Sequence, residues 1–164
     1  MPTSTYTPLA NITLGSAASS VTFSSIGQGY RDLVCFVNGL GNTGNVKVAV
    51  RLNGDSASNY SWVYMEGNGS TTVSVSGTGS WMPETNSATG TTTDRFTAVL
   101  NLMDYSATDK HKTLLQRFDA AGSGTNAAVG RWANTAAVTS MQVLTTGAST
   151  FAVGTSFALY GIAS

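Results

Sequence analysis

Val46-Lys-Val-Ala-Val-Arg-Leu52, followed at once by Asn53-Gly54, is the stretch on which the fold turns. Val46, Val48, Val50 and Leu52 fall on one side of an extended chain, and Lys47, Ala49 and Arg51 on the other. Period two with β-branched residues is the mark of a strand with one covered face, and Asn-Gly is the pair that closes a tight turn. The flanks then read differently from how they look alone. Gly39-Leu-Gly41-Asn-Thr-Gly44, just ahead, has the glycine spacing of a dinucleotide fingerprint. That motif needs a helix after its third glycine, whose N-terminus holds the pyrophosphate. A strand follows instead, so this is a hairpin loop. Asn53, Asp55 and Asn59, just behind, are spaced somewhat like a calcium loop, but Ala57 interrupts them and no closing Glu follows. They read as a turn in which Asp55 and Ser56 make local hydrogen bonds.

The same period recurs along the chain. Phe96, Ala98, Leu100 and Leu102 oppose Arg95, Thr97, Val99 and Asn101, and shorter pieces alternate at 21–23, 62–64, 73–75, 141–143 and 151–153. Gly- and Asn-rich clusters separate them. Short strands at turn spacings of roughly 8–12 residues predict an all-β protein: a single antiparallel β-sandwich, jelly-roll-like, of about eight to ten strands. Residues 13–164 form that domain, and residues 1–12, with Pro2 and Pro8, an extended N-terminal arm. Leu114, Leu115 and Phe118 make a short helix over Asp109–Ala121 possible, but Leu114, Gln116 and Phe118 fit a strand as well. Glu84 to Asp94 reads as a polar loop that is mobile or contacts a neighbour. In the last ten residues Phe157, Leu159 and Gly161 alternate with Ala158, Tyr160 and Ile162. Both faces of that strand are apolar, which makes Tyr160 and Ile162 candidates for a subunit interface.

Composition excludes several functions. Charged residues are 10% of the chain with a formal net charge of zero, against about 25% charged in an ordinary soluble protein. No long-range field attracts nucleic acid or an anionic membrane. No run reaches membrane-helix length, and the N-terminus lacks the pattern of a secretion signal. The sequons at Asn11, Asn59 and Asn68 then follow from an Asn/Ser/Thr-rich composition. With 44 Ser and Thr against three Lys, the surface is small and hydroxylated, and little opposes association, as suits a subunit of an assembly. Cys35, the only cysteine, sits in an apolar run and reads as a buried small hydrophobe. His111, the only histidine, lies in Asp109-Lys-His-Lys112, which reads as a solvated charged turn. One His and one Cys make a poor zinc set, no Gly-x-Ser-x-Gly elbow is present, and eight scattered acids give no carboxylate pair. The expectation is a non-enzyme with no cofactor and no metal.

The aromatics admit two readings. Trp62 and Tyr64 share a strand face with Tyr60 in phase, and with Trp81 and Trp132 they could build a stacking surface for sugars. A sandwich core or a subunit interface calls for the same residues.

Five phrases occur in order along most of the chain: Val21-Thr-Phe-Ser-Ser-Ile26, Tyr30-Arg-Asp-Leu-Val34, Arg51-Leu-Asn-Gly-Asp55 leading to Asn59-Tyr-Ser-Trp62, Trp132-Ala-Asn-Thr-Ala-Ala-Val-Thr-Ser140, and Phe157-Ala-Leu-Tyr-Gly-Ile162. Taken together they resemble a family of tailed-phage virion surface proteins. The resemblance implies a β-sandwich, commonly trimeric, on the outside of the particle as capsid decoration (cement), head fibre, or tail-fibre and baseplate component. It transfers no catalytic motif. A copy this short, with Met1 just ahead of the pattern, fits a decoration protein that bridges and stabilises major capsid subunits, made in the host cytoplasm and carried on the virion. The alternative is a tail-fibre, baseplate or head-fibre module that contacts host glycans through Trp62, Tyr64, Trp81 or Trp132. Pro2, Tyr6, Pro8 and Leu9 are the candidate contacts to a neighbour, and deleting residues 2–9 is expected to weaken particle binding while leaving the sandwich folded.

Overall fold

The computed structural model describes residues 5–83, 89–146 and 149–163, and these form an all-β sandwich of two antiparallel sheets. In chain order the strands are β1 (Tyr6–Thr13), β2 (Ser20–Phe23), β3 (Asp32–Gly39), β4 (Lys47–Leu52), β5 (Tyr60–Gly67), β6 (Thr72–Gly79), β7 (Phe96–Met103), β8 (Lys112–Ala120), β9 (Gly124–Trp132), β10 (Met141–Thr146) and β11 (Ser156–Ile162). The large sheet has eight strands in the order β1-β11-β3-β7-β8-β9-β5-β6, and the small one three, β2-β10-β4. The alternation of Val46–Leu52 and Phe96–Leu102 is realised as read: every in-phase residue of both runs is fully buried between the sheets. Asn53 and Gly54 both take positive φ, 50° and 69°, which makes the tight turn after β4.

Asp109–Ala121 resolves as strand, not helix: residues 112–120 pair with β9 and 113–119 with β7. Gly39–Gly44 is the loop between β3 and β4, with no helix after it, but the two strands belong to different sheets, so it is a crossover and not the hairpin expected. Phe151 is core but makes only isolated bridges to Ala18 and Gly41, and Val153 stands exposed in a turn. Thr89–Asp94 is tied down, since Gly90 and Val46 exchange backbone hydrogen bonds and Gly41 donates to the Thr91 carbonyl. Glu84–Ala88 lies outside the described residues.

Two further expectations need correction. The boundary expected after residue 12 falls inside a strand. Residues 6–13 pair with 156–162 as the edge of the large sheet, and the side chains of Leu9 and Ile12 pack against the core. The arm therefore adds a strand, which brings the total to eleven, and deleting residues 2–9 would remove half of it. The turn at 109–112 is also only partly solvated. Asp109 to His111 are exposed, but Lys112 is fully buried in phase with Leu114 and Phe118. Its Nζ donates to the carbonyls of Ala107, Lys110 and Thr135 at 2.7, 2.9 and 3.2 Å. Removal from water lowers the Lys112 pKa, against the pull of Asp109 and Asp104. The chain spends one charge here to satisfy three loop carbonyls.

Candidate functional site

The large sheet has two faces with different company. Its inner face meets the small sheet and the crossing loops. Its outer face meets solvent, and the registers show what stands there. One row runs Pro8, Tyr160, Val34, Asn101, Leu115, Val129, Val63, Ser76 across all eight strands. The next runs Asn11, Ala158, Phe36, Val99, Arg117, Ala127, Met65, Ser74. Only Asn101 and Arg117 interrupt the apolar side chains in the middle of these rows. The row beyond them is polar: Ser156, Asn38, Thr97, Asp119, Thr125. The outer face thus carries an apolar belt two residues deep.

Phe36, Val63, Leu115 and Val129 are exposed, and Met65 keeps 62% of its surface in water. At the β1 end Tyr160 lies edge-on between Phe36 and Tyr6, at 5.9 and 6.3 Å between ring centroids. Towards the other end the belt is hollowed. A groove of about 720 Å³ lies over Met65, Val99, Arg117 and Ala127, rimmed by Thr97, Asp119 and Thr125. A second hollow of about 470 Å³ continues it past Val63, Val129, Thr113 and Arg131. An exposed apolar surface of this extent is what interaction sites look like on otherwise soluble proteins.

The sequence candidates divide on this geometry. Tyr160 and Ile162 lie on the outer face, both half-buried, and exposed Tyr6 and Pro8 stand beside them. Leu9 does not join them: the register slips between Pro8 and Ala10, and Leu9 turns towards the core. Pro2 lies outside the described residues.

The aromatic stacking surface is not there. Trp62 is 8% exposed and Tyr64 4%, both on the inner face with Ala128. Alternation placed them correctly on one face, but it is the covered one. The Trp62 indole lies flat on the edge strand: a Cβ on Gly77 or Gly79 would sit 2.7 or 3.2 Å from the ring. Trp132 is 1% exposed and stacks on Tyr60 at 6.3 Å. Its Nε1 donates to Asp55 Oδ2 at 2.7 Å, and Asn59 Nδ2 donates to the same oxygen. Those two hydrogen bonds hold the Asp55 carboxyl below its ordinary range. The Tyr60 hydroxyl accepts from Leu52 N–H and donates to the Asp55 carbonyl, and burial pushes its pKa up to about 12. The 53–59 loop is therefore a structural lock, with Asn53 Oδ1 also accepting from Thr139 and Ser140 N–H. Trp81 is half-buried, and its indole N–H is turned inward.

Among the described residues no group of three His, Cys, Asp or Glu lies close enough together to hold a metal ion. Cys35 is buried and its thiol is pushed up to about 12, which removes it as a nucleophile at neutral pH. No helix of the described residues is long and apolar enough to cross a membrane.

No protein-family model and no curated protein matches this chain. Among solved structures, the galectin LEC-6 of Caenorhabditis elegans is 8% identical over 92% of this chain and 95% of that one, with a TM-score of 0.40. An alginate lyase, Aly36B, in complex with an alginate tetrasaccharide is 9% identical over 93% of this chain and 77% of that one, with a TM-score of 0.38. At these values the likeness is one of general strand architecture.

Proposed function

We propose that this chain is a non-enzymatic structural subunit of a phage particle, a decoration protein that docks on the outside of the capsid and adds buried interface across the seams between major capsid subunits. One observation carries the reading: the apolar belt that crosses the outer face of the large sheet from β11 to β5. A solitary protein gains nothing from keeping Met65, Leu115 and Val63 in water, whereas a subunit of a permanent assembly covers them. The low charge and hydroxyl-rich composition support the same reading. So does the resemblance to tailed-phage surface proteins, which also implies self-association as a trimer. Tyr6, Pro8, Tyr160 and Ile162 belong to the contact surface in this proposal, at the β1 end of the belt. The buried state of Trp62, Tyr64 and Trp132 speaks against the glycan-binding alternative in the form that used them.

The test is location and occupancy. Epitope-tagged protein is followed on purified virions by immunogold labelling, and a Val63→Asp, Leu115→Asp double variant is followed beside it. Label spread over the head, lost in the variant while the variant stays folded, is the expected result. Label at the tail tip overturns the capsid assignment, and absence from particles overturns the virion reading.

A further inference from the structure

The large sheet ends in β1 on one side and β6 on the other, and among the described residues only β6 is left open. Its sequence, Thr72-Val-Ser-Val-Ser-Gly-Thr-Gly79, has no charge and no proline, and it pairs with β5 from Gly67↔Thr72 to Tyr60↔Gly79 with no bulge. Charges, prolines and bulges are the devices by which natural edge strands refuse further pairing. The edge is also held in shape. Asn68 Oδ1 accepts from the N–H groups of Ser70 and Thr71, Gly69 takes φ 86°, and the Trp62 ring clamps the strand from the inner side. Asn68 N–H donates to the Thr71 carbonyl. Alternation from that pair turns the peptide groups of Val73, Val75, Gly77 and Gly79 towards β5, and aims those of Ser74, Ser76 and Thr78 outward.

We infer that β6 pairs antiparallel with β6 of a second copy across a two-fold axis at Val75, joining two sandwiches into one continuous sheet. The strand is self-complementary in that register. Ser74 stands opposite Ser76′, Thr72 opposite Thr78′, and Val75 opposite Val75′. The hydroxyl pairs suit cross-strand neighbours, and no charge meets its like. Val75 is 41% exposed in the single copy, so the pairing covers apolar surface as well as peptide groups. The belt rows end at Ser76 and Ser74, and they would run on into the second copy. One strand pair buries less than the roughly 1,600 Å² of a standard interface, so the dimer is a weak, concentration-dependent one. This inference does not depend on the virion reading, because it concerns the chain alone.

Sedimentation equilibrium of the purified protein tests it, together with Ser74→Pro and the pair Val75→Cys and Val73→Cys. Ser74→Pro deletes an outward N–H without touching the β5 ladder, and should weaken dimerisation at least tenfold. Val75→Cys places two thiols opposite each other at a non-hydrogen-bonded site, so mild oxidation should give a covalent dimer. Val73→Cys faces Gly77′ and should not. Cys35 is buried and takes no part. A protein that stays monomeric at several hundred micromolar, with Val75→Cys cross-linking no faster than Val73→Cys, overturns the inference. A trimer or other oligomer indifferent to Ser74→Pro does the same. Circular dichroism confirms that each variant is folded.

Discussion

The two edges of the large sheet solve one problem in opposite ways. At β1, Ala163 N–H donates to the Thr5 carbonyl, which sets the alternation so that Pro8 presents its nitrogen to the free side, where it has no hydrogen to offer. The bulge between Pro8 and Ala10 follows directly, and Leu9 turns into the core. That edge is closed to pairing. At β6 neither device is present, and a tryptophan pressed on two glycines keeps the strand flat instead. The difference teaches that an edge can be anchored to its own fold without being closed to other chains. Anchoring lives in side chains facing the core, and closure lives in the peptide groups facing out.

The largest effect is expected where anchoring at β6 is removed. Trp62→Ala deletes the ring that covers Gly77 and Gly79, leaves a cavity beside Tyr64 and Ala128, and should cost about 3–5 kcal/mol. Urea denaturation reads the loss. Amide exchange should then accelerate at β6 and leave β1 unchanged. Equal acceleration at both edges would mean that Trp62 supports the whole sandwich and not its edge.

The contrast between edges was only half legible in the sequence. Period two identified the strands, and Val46–Leu52 and Phe96–Leu102 were placed on the right face because one phase was apolar and the other polar. It failed where both phases carry apolar residues. Val63 and Met65 alternate with Trp62 and Tyr64, and Leu115 follows Leu114, so alternation alone assigns neither phase to the inside. The row of aromatics allows a surface or a core reading, and it is the covered one; the shorter side chains out of phase with it are exposed. The belt itself needs seven registers between eight strands, and each strand contributes only two residues to its rows, so no single stretch of sequence announces it. The closing strand carries a legible signal in its two apolar faces, and on the outer one Tyr160 joins the belt with Ile162 beside it. Lys112, in phase with Leu114 and Phe118, was the matching signal for a buried cation. Pro8 by itself indicates only an extended arm. Its role as an edge-closing residue depends on the pairing partner Tyr160, far along the chain.

If closure at β1 resides in Pro8, restoring an N–H there should open a second edge. Pro8→Thr changes a solvent-facing position, so the folding free energy should move by no more than about 0.5 kcal/mol. The assembly should change much more. An open β1 can pair with β6 of another copy, and head-to-tail pairing does not close, so the variant should form extended oligomers. Light scattering against concentration reads this. A Pro8→Thr protein that assembles like the wild type would show that the bulge at Leu9 closes the edge by itself.

The smallest effect concerns the end of the sheet near β6. There Asp55 holds Trp132 and Asn59 through one carboxylate oxygen, and those hydrogen bonds lower its pKa below the ordinary 3.8. A carboxyl whose folded value is depressed contributes stability that is complete above its unfolded value and is withdrawn as pH falls through the folded one. Wild type should therefore lose stability below about pH 4 more steeply than Asp55→Asn, which cannot titrate. The loss should be local, because Trp132 ends β9 and stacks on Tyr60 at the start of β5, while β11 and β1 stand four and five strands away from β9 in the sheet. Amide exchange at pH 3 should accordingly rise along the β9–β5–β6 side relative to pH 6, while β1 and β11 keep their protection. Equal rises on both sides would locate the acid sensitivity outside the Asp55 lock.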